Sequence, residues 1–162
     1  MHDRPVIPWL TREQVYEKLV SYAQNHEDVL LHRAFRDQAA GFYVDIGAND
    51  PVFHSVTKLF YDRGWSGLNV EPNPAVYRTL QEGRPRDVNL NIGVSDREGT
   101  LTFYEVPAIH GWSTFMPDLA ERFRRQGLEV VERPVAVTTL VRLCERHVDR
   151  TIDFLKVDAE GS

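Results

Sequence analysis

Two stretches of the chain combine the residue types of a nucleoside-binding site. The first, GFYVDIGAND at residues 41–50, takes an apolar run into a tight turn, and the second, LNVEPNP at residues 68–74, ends another apolar run in Glu71. Glu71 follows the turn by a little over twenty residues. A strand, a turn and an acid at the end of the next strand form the α/β unit in which the acid accepts hydrogen bonds from ribose hydroxyls. The spacing therefore predicts a nucleoside site.

The turn contains Gly47 but lacks the further glycines of a dinucleotide fingerprint. Those glycines allow the backbone and a helix N-terminus to close on a pyrophosphate. A turn with one glycine between two carboxylates, Asp45 and Asp50, suits a nucleoside without phosphate. S-adenosylmethionine is such a ligand, because its ribose hydroxyls suit Glu71 while its cationic amino group and sulfonium tolerate nearby aspartates.

Composition limits the classes of function. The formal net charge of -5 argues against general nucleic-acid binding, because phosphate neutralisation needs a surplus of cations. No apolar stretch approaches the roughly 20 residues of a membrane span, and no secretory signal is recognisable, so we expect a cytoplasmic protein. Cys144 is the only cysteine, which excludes an internal disulfide and a multi-cysteine zinc site.

Hydrophobic periodicity predicts two helices and then strands that alternate with helices. The first helix starts at Thr11, which forms a capping box with Gln14, and reaches Ala23; the second starts at about Glu27. The predicted strands are 42–46, 67–70, 88–94, 101–106, 130–137 and 152–157. The predicted helices after residue 41 are 55–62, 74–81, 117–126 and 138–147.

Strands that alternate with helices are typical of an α/β fold with a parallel sheet. In such a sheet a ligand binds at the carboxyl ends of the strands, where the turn after residue 46 and Glu71 both lie in this prediction. Residues 99–137 break the alternation and indicate an antiparallel addition. The chain ends directly after the strand 152–157, which leaves a sheet edge unprotected, so we expect a fragment of a longer protein or a gene product that lacks its C-terminal part.

Five blocks of the sequence carry a family signature. They are SYAQNHEDVLLHRAF (21–35), GFYVDIGAND (41–50), DRGWSGLNVEPNP (62–74), NLNIGVSDREGTLTFYEV (89–106) and DFLKVDAEGS (153–162). In this order they resemble the FkbM family of S-adenosylmethionine-dependent methyltransferases. The resemblance implies a class I methyltransferase fold, which is Rossmann-like, with a mostly parallel sheet and flanking helices, and incomplete here at its C-terminus. An N-terminal helical segment (1–40) would precede a partial cofactor-binding domain (41–162).

The resemblance implies that the chain binds S-adenosylmethionine and transfers its methyl group to a hydroxyl of a sugar, polyketide or other small molecule. The cofactor-binding residues that it implies are Asp45, Gly47, Asn49, Glu71, Ser95 and Asp96. Gly47 would permit close backbone approach, and Asp45 would orient the turn or accept from the cofactor's amino group. Glu71 would bind the ribose, and Ser95 and Asp96 would meet the adenine. Each acid also has a structural alternative as a turn, cap or strand-end residue.

Catalysis is assigned to Asp158 first and Glu160 second, because the resemblance places them beside the transferred methyl group. A carboxylate there would remove the proton of the acceptor hydroxyl. The same two acids are also compatible with a helix start or with a Mg²⁺ site. Weaker candidates are Gln24, Glu27 and Asp28 over the cofactor, and His54, Ser55, Trp112, Ser113 and Thr114 around the acceptor.

Two other classes of function stay open at this point. One is a cofactor-binding but inactive truncated remnant, and the other is a nicotinamide-dependent oxidoreductase, which the missing glycines disfavour. The expected partner is a small-molecule hydroxyl acceptor rather than nucleic acid or a membrane. Self-association into a homo-oligomer stays open too.

Overall fold

The computed structural model describes residues 19–159. Its helices are α1 (Glu27–Ala34), α2 (Lys58–Asp62), α3 (Pro74–Gly83), α4 (Pro117–Arg125) and α5 (Leu140–His147), with a 3-10 helix at His110–Trp112. Its strands are β1 (Phe42–Ile46), β2 (Ser66–Val70), β3 (Val88–Leu90), β4 (Gly93–Val94), β5 (Gly99–Glu105), β6 (Val131–Thr138) and β7 (Phe154–Val157). The alternation predicted from the apolar runs is therefore confirmed for most elements.

The main sheet has the strand order β3-β2-β1-β7, and all of its pairings are parallel. Ile46 at the end of β1 pairs with Val70 at the end of β2 and with Val157 at the end of β7. The carboxyl ends of three neighbouring strands consequently lie side by side, and the loops that follow them share one edge of the sheet. This architecture confirms the Rossmann-like α/β fold with a mostly parallel sheet.

The main sheet is covered on both faces, which is why β1 is buried along its whole length. On one face Val44 belongs to a cluster with Leu143 of α5. On the other face Tyr43 belongs to an aromatic cluster with Trp65 and Phe154. Because both faces are packed, β1 and the turn that follows it are held firmly at the centre of the domain.

A second sheet of three strands has the order β4-β6-β5. Strand β5 is antiparallel to β6, which confirms the predicted antiparallel addition, whereas β4 is parallel to β6. The prediction of a single strand over 88–94 is wrong, because β3 belongs to the main sheet and β4 to the second. Between them the Asn91 amide donates to the backbone oxygens of Glu71 (2.8 Å) and Pro72 (3.0 Å), so the chain leaves the main sheet there.

Two predicted helices begin later than expected. The helix predicted from Ser55 begins at Lys58, because the Ser55 hydroxyl lies in the core and accepts from Arg84. The helix predicted from Thr138 begins at Leu140: Thr138 ends β6, and the Thr139 hydroxyl caps α5 by accepting from a backbone N–H. Both errors concern hydroxyl residues, which are favoured at helix caps and turns rather than in helix interiors.

The first predicted helix lies largely outside the described residues, since Thr11 and Gln14 precede residue 19. Its last part is wrong, because residues 19–23 are not helical. The backbone N–H groups of Tyr22 and Ala23 donate instead to the buried Asp28 carboxylate, at 2.7 and 3.3 Å. The second helix is confirmed as α1.

Candidate active site

A cleft of about 780 Å³ opens where the carboxyl ends of β1, β2 and β7 meet the second sheet. The main sheet lines it with the turn after β1, the start of the loop after β2 and the residues after β7. The second sheet lines it with β4, Phe103 of β5 and the segment around the 3-10 helix. The cleft thus lies where ligands bind in open α/β sheets.

The turn after β1 is tied to both neighbouring strands. The N–H groups of Gly47 and Ala48 donate to the Val70 carbonyl oxygen, at 2.9 and 3.1 Å, and the Asp158 N–H donates to Ile46. Gly47 has a φ of +74°, and a Cβ at this position would lie 2.1 Å from the Asp158 carbonyl oxygen. Glycine is therefore required here both by its backbone conformation and by the close approach of the segment after β7.

Asp45 lies beneath the turn and is almost completely buried. Its Oδ2 accepts from the Thr57 hydroxyl at 2.9 Å, and its Oδ1 lies 3.1 Å from the Lys156 ammonium, an ion pair without hydrogen-bond alignment. Lys156 also donates to the Gly47 carbonyl oxygen at 2.6 Å. Asp45 is not among the residues that line the cleft, so the geometry favours its role in orienting the turn over direct contact with a ligand.

Glu71 is buried at the end of β2 and lines the cleft. Its Oε2 accepts from the Asn49 N–H at 2.9 Å, and its Oε1 accepts from the Asn73 N–H at 2.8 Å. Burial raises the pKa of Glu71 to about 7, although these two backbone donors and Lys156 act in the opposite direction. Asn49, which has a φ of +51°, thereby links the turn to the acid that the sequence places after β2.

The residues that follow Asp50 in the chain form the outer wall of the cleft. The Asp50 carboxylate accepts from the N–H groups of Val52 (2.8 Å) and Phe53 (2.7 Å) and so closes a local turn. The Phe53 ring stacks on His54, with 3.8 Å between ring centroids, and both side chains line the cleft. Of the acceptor-side candidates, His54 is therefore at the cleft, while Ser55 is buried behind it.

A buried arginine holds this wall from behind. Arg84 is 1% exposed, and its guanidinium donates to the Pro51 carbonyl oxygen and to the Ser55 hydroxyl, at 2.6 and 2.9 Å from Nη2. The Asp87 carboxylate, 3.8 Å from Nη1, balances its charge. Because a buried charge is tolerated only when it is paired and hydrogen-bonded, this network fixes the position of residues 51–55.

The second sheet contributes a loop whose ends are anchored. Tyr104 and Thr114 exchange backbone hydrogen bonds of 2.8 and 3.0 Å, and the Ser113 hydroxyl accepts from the Val106 N–H at 3.1 Å. Trp112 stacks on Phe123 of α4, with 5.3 Å between ring centroids. Trp112 and Ser113 line the cleft, whereas Thr114 is buried and does not.

The structure does not bring every predicted site residue to the cleft. Gly47, Asn49, Glu71 and Asp158 line it. Ser95 and Asp96 follow β4 but are not among the lining residues; the Ser95 hydroxyl contacts Asp96 at 3.3 Å, and the Asp96 side chain is 83% exposed. The residues of this segment that reach the cleft are Gly93 and Val94. The adenine assignment of Ser95 and Asp96 stays a prediction.

The structure describes only Asp158 of the two predicted catalytic acids. The Asp158 side chain is 66% exposed and its Oδ2 lies 3.8 Å from the Lys156 ammonium, at the edge of the cleft. Glu160 lies outside the described residues, so the structure says nothing of it or of a metal site that uses it. Within residues 19–159, no group of three or more His, Cys, Asp or Glu side chains is arranged to hold a metal ion.

The first family block contributes one residue that lines the cleft and two acids in the first turn of α1. Gln24 lines the cleft. The Asp28 carboxylate accepts from the Ser21 hydroxyl and from nearby backbone N–H groups, and Glu27 accepts from Asn25. Asp28 and Glu27 therefore organise the entry to α1.

Sequence reasoning missed Lys156, Arg84 and His110. A signal existed for Lys156, because a charged residue inside an apolar strand needs a partner when the strand is buried. For Arg84 and His110 no local pattern exists, since their contacts with Pro51 and Asn73 join segments far apart in the chain.

No helix of the described part of the chain is long and apolar enough to cross a bilayer. A family model described as the methyltransferase FkbM domain matches residues 45–162. The match starts at Asp45 within β1 and covers the rest of both sheets and most of the residues that line the cleft, and it confirms the resemblance carried by the five sequence blocks. No curated protein and no solved structure matches the chain.

Proposed function

This chain belongs to the FkbM methyltransferase family, and we propose that it transfers the methyl group of S-adenosylmethionine to a hydroxyl oxygen of a small molecule. The observation that carries the proposal is the Glu71 carboxylate, which lies in the cleft with each oxygen bound to one backbone N–H. A carboxylate offers about four lone-pair sites. After Asn49 and Asn73 have donated, one site on each oxygen is left for a pair of vicinal hydroxyls.

The charge of the cleft supports a cationic nucleoside. Among residues 19–159, three carboxylates, Asp50, Glu71 and Asp158, line it together with one ammonium, Lys156. Lys156 is already engaged by Asp45 and by the Gly47 carbonyl oxygen. This balance favours a ligand with a positive amino group and sulfonium and disfavours a pyrophosphate, which needs donors and cations instead.

In this proposal one side of the cleft binds the cofactor and the other side binds the acceptor. The cofactor, when bound, supplies a methyl group on a sulfonium, which is a good leaving group. The main sheet holds the nucleoside through the turn after β1 and Glu71, while Phe53, His54 and Trp112 border the space left for the acceptor. Alignment of the acceptor hydroxyl is the main contribution of such a site.

Asp158 is the candidate that accepts the proton of the acceptor hydroxyl. Its side chain is exposed at the cleft edge, and the Asp158 backbone contacts Gly47 in the cofactor turn. Asp158 therefore lies close in space to the turn after β1. Glu160 stays the second candidate on the strength of the sequence alone.

Calorimetric titration of the chain with S-adenosylhomocysteine and with NADH tests the cofactor assignment. We expect binding of S-adenosylhomocysteine only. Preference for NADH would overturn the proposal in favour of an oxidoreductase.

Transfer of a labelled methyl group from S-adenosylmethionine to a panel of hydroxylated acceptors tests the reaction. Asp158→Asn should lower turnover by about 10²-fold or more, as expected for a lost general base, with little change in cofactor affinity. Asp37→Asn, a change at an exposed aspartate, is the matched control. Normal turnover of Asp158→Asn would remove this acid as the base, and cofactor binding without transfer to any acceptor would favour an inactive remnant.

A further inference from the structure

His110 reaches the cofactor side of the cleft from the opposite sheet. It begins the 3-10 helix between β5 and α4 and lines the cleft. Its Nδ1 lies 3.5 Å from Nδ2 of Asn73, the residue that caps α3. The two residues join the loop of the second sheet to the end of β2.

The orientation of the Asn73 amide decides which nitrogen of His110 carries hydrogen. Asn73 Oδ1 accepts from the N–H groups of Ala75 (2.9 Å) and Val76 (3.4 Å), so the oxygen is committed to the helix cap. The NH₂ group therefore faces His110, and this 3.5 Å contact is a hydrogen bond only if His110 Nδ1 accepts. In a neutral imidazole the hydrogen then resides on Nε2, because one ring nitrogen donates when the other accepts.

This arrangement connects His110 to Glu71 through Asn73, and the side chains of His110 and Glu71 both line the cleft. The Asn73 N–H donates to Glu71 Oε1 at 2.8 Å, and the Asn73 side chain contacts His110, so Asn73 joins Glu71 and His110. A hydroxyl that donates its hydrogen to Glu71 keeps its oxygen lone pairs, which are free to accept a hydrogen bond from a nearby donor. Glu71 cannot provide one as a carboxylate, and His110 Nε2–H can.

We propose that His110 is a positioning residue for the nucleoside, whose Nε2–H donates to the oxygen of a ribose hydroxyl that Glu71 binds through its hydrogen. This inference rests on the proposed cofactor. The loop that carries His110 is anchored by the Tyr104–Thr114 backbone pair and by the stacking of Trp112 on Phe123. The loop that presents the imidazole to the cleft is thus held by groups that the ligand does not have to order.

Calorimetry with S-adenosylhomocysteine tests the proposal with three variants. His110→Ala and His110→Asn remove the Nε2 donor and should weaken binding about tenfold, the effect of losing one hydrogen bond. His110→Gln keeps an amide donor near the Nε2 position and should stay within about threefold of the unaltered chain. His147→Ala, a change at an exposed histidine on α5, should bind normally.

The 2′-deoxy and 3′-deoxy analogues of S-adenosylhomocysteine locate the hydrogen bond. For one of them the unaltered chain and His110→Ala should bind equally, because the oxygen that His110 contacts is gone. A His110→Ala affinity equal to that of the unaltered chain, or a tenfold loss that persists with both analogues, would overturn the inference while the cofactor assignment stands. Failure of the unaltered chain to bind S-adenosylhomocysteine would overturn the cofactor assignment and this inference together.

Discussion

The affinity for S-adenosylhomocysteine should rise with pH because Glu71 must be ionised to accept from two hydroxyls. With a pKa of about 7, the carboxyl is about one-tenth ionised at pH 6 and about nine-tenths at pH 8. If only the ionised form binds, the affinity increases about tenfold between these values. S-adenosylhomocysteine is the appropriate probe, since it has no sulfonium and keeps the ribose.

Calorimetry at pH 6, 7 and 8 measures this rise, and repeating the pH 7 titration in two buffers of different ionisation enthalpy counts the protons released. About half a proton should leave per ligand bound at pH 7, because about half of the Glu71 carboxyls are then protonated. Glu71→Gln should lose both effects, whereas Glu82→Gln, a change at an exposed residue of α3, should keep them. Affinity independent of pH, with no proton release, would refute the assignment of Glu71 to the ribose.

The raised pKa of Glu71 also makes the free energy of unfolding depend on pH. The native pKa of Glu71 is raised from 4.5 to about 7, so the folded chain binds more protons than the unfolded chain between these values. The contribution of Glu71 to the free energy of unfolding is therefore fully present below pH 4.5 and is lost as the pH rises through 7, by about 3 kcal/mol. Urea unfolding of the unaltered chain and of Glu71→Gln at pH 5 and 8 isolates this contribution. The free energy of unfolding of the unaltered chain should fall relative to that of Glu71→Gln between pH 5 and 8, and a rise would contradict the prediction.

Two further predictions concern the turn beneath the ligand. Lys156→Met should lower the free energy of unfolding in urea by about 3–5 kcal/mol, because it leaves the buried Asp45 carboxylate without its cation. Arg142→Met, which breaks an exposed ion pair, should lower it by less than about 1 kcal/mol. Equal losses for the two variants would contradict the buried pairing. Gly47→Ala should lower the unfolding temperature much more than Gly64→Ala, since both glycines have positive φ but only the methyl at 47 meets a backbone oxygen. Similar losses would disprove the close contact.

The sequence predicts the main sheet well because its signal is local. An apolar run such as 42–46 has the length of a buried strand, and Glu71 is recognised by its place after the next run. The break between β3 and β4 carries no such signal. Val88–Val94 reads as one apolar-rich stretch, and the side-chain bonds of Asn91 to the backbone after β2 appear only when both segments are folded.

The same difference between local signals and contacts of distant segments explains which features of the site could be predicted. Gly47 and Glu71 lie in motifs, so their positions at the cleft could be predicted. The reason for the glycine could not, because the atom that excludes a Cβ belongs to Asp158, more than a hundred residues further along the chain. Ser95 follows the end of β4, where its N–H donates to the Thr138 carbonyl oxygen of β6, a contact between distant segments that no local pattern predicts, and it lies outside the cleft lining.

The two halves of the cleft are built differently, and this difference predicts how they respond to substitution. The half that we propose for the cofactor is fixed by backbone N–H donors: Gly47 and Ala48 donate to the Val70 carbonyl oxygen, and Asn49 donates to the Glu71 side chain. Side-chain changes there act mainly through the carboxylate or through the buried pair below. The half that we propose for the acceptor presents Trp112 and neighbouring side chains on a loop anchored at its ends. Substitution within that loop should therefore change the acceptor that is used while cofactor affinity is kept, with His110 as the exception because its contact with Asn73 crosses between the halves.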